Sequence, residues 1–73
     1  MYKRIRDLRE DKELLQKDIA KILQTTQQYY SEYEKGKRQI PAEKIAILAK
    51  FYDTSADYIL GLTNETKPYP RIK

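Results

Sequence analysis

The sequence predicts a small all-α domain built from five short helices. Apolar residues recur at three- and four-residue spacing, and no stretch alternates as a half-buried strand would. Glycine and proline are sparse and fall between the periodic segments: Gly36 and Pro41 bracket one break, Gly61 marks another, and Pro68 and Pro70 mark the last. With 73 residues and no cysteine, the chain has room for one core that no disulfide reinforces.

The first helix is expected from Tyr2 to about Lys12, with Tyr2, Ile5, Leu8 and Arg9 on one stripe and charged residues on the others. The second runs from about Gln16 to Leu23, turns Ile19, Ala20 and Leu23 inward, and places Asp18 near its positive end. Thr26 is a suitable N-cap for a third helix that carries Tyr30 and Tyr33 on one face and ends at Gly36. Pro41 suits the first turn of a fourth helix whose buried stripe is Ile45, Leu48, Ala49 and Tyr52. Ser55 caps a short fifth helix, Ala56 to Leu60, which Gly61 terminates. Residues 1–62 are expected to form the domain and 63–73 an extended or flexible tail, since Pro68 and Pro70 forbid further helix.

Composition narrows the function. The chain has neither histidine nor cysteine, so thiolate and imidazole chemistry are absent, and a zinc site would need carboxylates alone. No glycine-rich phosphate loop and no nucleophile beside a base can be found, so no enzyme, cofactor or metal is expected. No apolar run approaches the roughly 20 residues that span a bilayer. The charged N-terminus precedes no apolar signal region, and the expectation is a soluble, cytoplasmic protein without a membrane partner. Fifteen basic residues against eleven acidic ones give a net charge of +4, which favours an anionic partner.

Only Gln24 and Thr25 separate the second helix from the cap of the third. So short a connection makes the two axes cross steeply. That is the helix-turn-helix arrangement, in which the second helix of the pair enters the major groove of DNA. The third helix turns Gln27, Gln28, Tyr29, Ser31 and Glu32 away from the Tyr30–Tyr33 face. Glutamine can bond adenine bidentately, serine can serve several bases, and a carboxylate can accept from cytosine N4. These five are the candidate base readers. Tyr29 could instead pack along its neighbours, and Glu32 could simply pair with Lys35 at i, i+3. Gln16, Lys17, Thr26, Lys35, Lys37 and Arg38 bracket the same helix and are candidate phosphate contacts.

The stretch Gln16-x-x-Ile19-Ala20-x-x-Leu23, then Thr25-Thr26-Gln27-Gln28, then Tyr33-Glu34-Lys35-Gly36-Lys37-Arg38, resembles the Cro/XRE family of bacterial and phage regulators. The resemblance continues through Ile40-Pro41 and Leu48-Ala49-Lys50 to Asp57-Tyr58-Ile59-Leu60-Gly61-Leu62-Thr63. It implies a lambda-repressor-like fold and a regulator, expected to be a repressor, that binds double-stranded DNA as a homodimer. It also implies that Gln27 and Gln28 read bases, that Gln16 clamps the DNA backbone, and that Arg9 and Glu34 form a structural ion pair beneath the third helix. Tyr58, Leu62 and the tail are the candidate dimer surface. Two positions depart from the family pattern: Leu15 stands where a small N-cap is usual, and Gln24 stands where the turn usually has glycine. The same fold serves antitoxins, so a protein partner is the alternative, with Tyr2, Tyr52, Tyr58 and Tyr69 as a candidate exposed patch.

Overall fold

The computed structural model describes residues 3–68. The helices are α1 (Lys3–Asp11), α2 (Gln16–Ile22), α3 (Gln27–Glu34), α4 (Ala42–Phe51) and α5 (Ala56–Ile59), and the described residues contain no strand. None of these helices is long and apolar enough to cross a membrane. All five predicted helices are therefore present, with ends shifted by a residue or so. Tyr2 and Tyr69–Lys73 lie outside the described residues.

The helix starts follow the caps. Thr26 Oγ1 accepts the Tyr29 N–H at 3.1 Å, and Ser55 Oγ accepts the Tyr58 N–H at 3.0 Å. The Leu15 side chain has no oxygen to offer α2. Instead Asp18 reaches back and its Oδ2 accepts the Leu15 N–H at 2.9 Å, which supplies the acidic half of a capping box. Pro41 occupies the N-cap position of α4, not its first helical residue, with φ −58° and ψ 147°.

All five helices end in one way. The residue two past each helix has positive φ: Glu13 (56°), Gln24 (56°), Gly36 (75°), Asp53 (55°) and Gly61 (80°). Each end carries the paired bonds of a Schellman closure; at α2 the Gln24 N–H donates to Lys21 O at 3.1 Å and the Thr25 N–H to Ala20 O at 2.9 Å. Gln24 is thus left-handed, at a strain of about 1 kcal/mol, and the closure satisfies two carbonyls in return. The end of α2 is bound again from outside, where Lys44 Nζ donates to Leu23 O at 3.2 Å.

The core collects Ile5, Ile19, Ala20, Leu23, Tyr30, Tyr33, Ile40, Ile45, Leu48, Ala49, Tyr52 and Ile59. α2 packs on α3, α4 on α5, and α1 touches both α3 and α5. Tyr52 belongs to this core at 7% exposure, so it cannot join the exposed tyrosine patch that the sequence suggested. Burial, then the nearby Glu34 charge, pushes its phenol up to about 12. Tyr58 is half-buried beneath the Arg4 guanidinium, 4.2 Å from its ring centroid. Arg4 also donates to Tyr58 O at 2.9 Å, to Asn64 Oδ1 at 2.8 Å and to Thr63 O, which fastens residues 63 and 64 to α1.

One buried carboxylate joins three helices. Glu34, the last residue of α3, receives Arg9 Nε at 2.7 Å and Arg9 Nη2 at 3.2 Å, and its Oε1 also accepts Gln16 Nε2 at 3.0 Å. Arg9 Nη1 donates to Leu14 O at 2.9 Å. The Arg9 and Glu34 side chains are 11% and 4% exposed, so the expected structural pair is present and largely out of water. The Tyr30 hydroxyl points toward the same carboxylate but falls outside good hydrogen-bond geometry. Desolvation alone would raise the Glu34 carboxyl. The Arg9, Tyr30 and Gln16 dipoles, and the Arg9 charge, outweigh it and hold the group below its ordinary value.

Two expectations follow. Gly61→Ala places a Cβ in open space, so its effect is conformational only: a loss of about 1 kcal/mol, read as a lower denaturation midpoint at unchanged slope. Glu34→Gln leaves the Arg9 charge buried and unbalanced and lowers stability by about 3 to 5 kcal/mol at neutral pH. The depressed Glu34 pKa contributes stability that is complete above the unfolded value near 4.5 and is lost as pH falls through the folded value. The variant lacks that acid-sensitive component, so its stability changes less than the native chain's below pH 4.5, as urea titrations at several pH values would read.

Candidate nucleic-acid interface

α3 has two faces. Tyr30 and Tyr33 are buried at 0% and 2% exposure. Opposite them Gln27 and Gln28 are exposed, and Ser31 and Glu32 are half-exposed. The four-residue spacing of Gln27 and Ser31, and of Gln28 and Glu32, sets these polar groups in adjacent rows. The rows form one wall of an open groove. Gln16, Gln27, Gln28, Ser31, Glu32, Lys35 and Lys37 line it together. Seven of the residues singled out in the sequence thus meet on one surface, although they come from α2, α3 and the turn after α3.

The remaining candidates fall to either side. Lys17 lines an adjoining depression with Asp18, Lys21 and Thr25, and Gln27 stands on the border between the two. Lys21 was not anticipated; its spacing of four from Lys17 was the available signal. The Thr26 hydroxyl already accepts a bond as the cap of α3. Gln16 holds Glu34 from the groove side, so one carboxamide touches both the buried carboxylate and the open surface.

Tyr29, Glu32 and Arg38 form a cluster on the outer edge of α3. Arg38 pairs through Nε with Glu32 Oε1, and its guanidinium lies 4.3 Å from the Tyr29 ring centroid. The Tyr29 ring in turn meets Tyr33 edge-on at 5.5 Å. The partner of Glu32 is therefore Arg38 and not Lys35. Gly36 explains the difference. Its φ of 75° reverses the chain, Lys37 N–H closes on Glu32 O at 2.9 Å, and Arg38 is carried back over the helix. The hydrogen bond to Glu32 raises the Arg38 pKa, and the charges of the Tyr29 hydroxyl and of Glu32 act in the same direction.

The groove offers amide donors and acceptors, a hydroxyl, two ammonium groups and the Glu32 carboxylate, which Arg38 pairs. It suits a ligand with an anionic edge and a patterned set of donors and acceptors. Among the described residues no three acidic side chains converge on a point where a metal ion could sit.

The helix-turn-helix family model matches residues 5–59. The chain is 39% identical over 69 residues to an uncharacterized HTH-type transcriptional regulator, YobD, of Bacillus subtilis (strain 168). That match covers 93% of this chain and 62% of the relative, so the chain spans less than two thirds of that protein's length. No solved structure matches it significantly. With a family model across most of its helices and a relative of this similarity, the chain belongs to the Cro/C1-type helix-turn-helix family of DNA-binding transcriptional regulators.

Proposed function

We propose that this chain is the sequence-specific DNA-binding part of a transcriptional regulator, that α3 enters the major groove, and that its effect is repression. The observation that carries this reading is the single groove shared by Gln16, Gln27, Gln28, Ser31, Glu32, Lys35 and Lys37. Base-edge chemistry and phosphate chemistry lie side by side on it, as major-groove recognition requires. Gln27 and Gln28 read bases, with Ser31 beside them. Lys35 and Lys37 contact phosphates on one flank. Lys17 and Gln16 contact them at the other, where the start of α2 presents backbone N–H groups.

The chain acts as a two-fold dimer on half-sites about 34 Å apart or a multiple of that. Support comes from the turn after α5, where two leucines, Leu60 and Leu62, are 43% and 73% exposed. Surface of that kind favours burial against a second copy.

Duplex titration at two salt concentrations tests the reading: binding weakens steeply with salt, and absence of binding at low salt contradicts it. Gln28→Ala loses roughly 1–3 kcal/mol on a site selected from random duplexes and little on random DNA, whereas equal losses on both would rule out direct readout. Lys37→Ala weakens all duplexes alike and lowers the salt slope by about one. An effect confined to one sequence would remove that residue from the phosphate set.

A further inference from the structure

Arg38 follows the helix that we place in the groove, yet its charge is already engaged. Glu32 takes its Nε–H, and the Tyr29 ring lies under its guanidinium plane. The pair stays accessible, with the Arg38 and Glu32 side chains 48% and 29% exposed, so either member can exchange partners without unfolding anything. A carboxylate offers arginine the same anionic oxygens as a phosphodiester.

We propose that Glu32 is an internal substitute for a DNA phosphate, which withholds Arg38 from random duplexes and releases it where a base can satisfy the carboxylate. The inference rests on the DNA-binding reading above. On arbitrary DNA, moving Arg38 to a phosphate strands the Glu32 carboxylate among phosphates that repel it. The exchange then replaces one ion pair with another and gains nothing. Where a cytosine faces Glu32, its N4 amino group donates to the freed carboxylate, and one internal pair is replaced by two contacts with DNA. Glu32 thereby determines specificity in two ways. It accepts from a base directly, and through its bond to Arg38 Nε it holds that guanidinium over Tyr29 wherever no base takes its place.

The test is a double-mutant cycle of Glu32→Gln and Arg38→Ala, read as affinity and salt slope on random duplexes and on a selected site. Gln is isosteric and sits on an exposed face, so folding is kept. The proposal expects Glu32→Gln to tighten random-duplex binding roughly two- to fivefold and to steepen the salt slope by about 0.9, the signature of one added phosphate contact. It expects Arg38→Ala to change random binding little in the native background and to abolish the gain in the Glu32→Gln background. Sites selected by Glu32→Gln lose the cytosine preference at the facing position. Simple removal of a negative charge would instead give additive effects, with Arg38→Ala weakening random binding equally in both backgrounds. That result overturns the proposal while leaving the DNA reading intact. Failure of the native chain to bind any duplex at low salt overturns both.

Discussion

The position of α3 depends on a carboxylate that the fold cannot leave alone. Glu34 is nearly out of water, and an unbalanced buried charge is among the most expensive defects a small domain can carry. Its balance comes from α1 through Arg9, whose third nitrogen donates to the loop carbonyl of Leu14, and from the first residue of α2 through Gln16. These groups reach Glu34 together only when the end of α3 stands at one angle to α1 and α2. A well-packed apolar cluster could give similar stability, but it would tolerate sliding and rotation that paired charges do not. Gln16 carries the constraint outward, because the same side chain also lines the groove. Core geometry and surface geometry are thus fixed by one set of hydrogen bonds.

Much of this was legible in the sequence because it depends on local chemistry. Thr26 and Ser55 announce helix starts through oxygens that can reach back N–H groups, and both do so. Gly36 and Gly61 announce ends, since left-handed backbone suits them. Periodicity separated Tyr30 and Tyr33 from Gln27 and Gln28 correctly. Legibility fails where a residue does what its type does not advertise. Glu13, Gln24 and Asp53 adopt the same left-handed turn that glycine makes elsewhere, because the closing bonds of the helix end favour it strongly enough to override local preference. Asp18 likewise supplies the cap contact that Leu15 cannot.

Partners across elements are the other gap. Spacing within a helix names neighbours at i, i+3 and i, i+4, and on that rule Glu32 faces Lys35. The rule stops at the helix end. Past Gly36 the chain doubles back, and Arg38, six residues along the sequence, becomes the nearer cation. The same reasoning hides Arg4, whose partners lie at the far end of the chain, and Lys44, which meets a carbonyl of α2. Tyr52 illustrates the reverse error: as a large amphipathic ring it suits either a surface patch or a core, and only its place on the inward stripe of α4 decides.

These contacts change what the positive charge of the chain means. Arg4 and Lys44 collect carbonyls at the ends of α5 and α2, where helix dipoles favour a cation. Arg9 neutralises Glu34, Arg6 pairs with Glu10, and Arg38 with Glu32. α1 is in effect a strut with an arginine working at each end, one toward α3 and one toward α5 and residues 63–64. Among the described residues, Arg4, Arg6, Arg9, Arg38 and Lys44 thus serve the fold or a neighbouring carboxylate, and the total charge says little about the proposed interface. What marks the proposed interface is where exposed ammonium groups remain beside groups that can read an edge. Lys35 and Lys37 meet that condition because they share a groove with Gln27 and Gln28, and they share it because Glu34 holds the helix between them and the core.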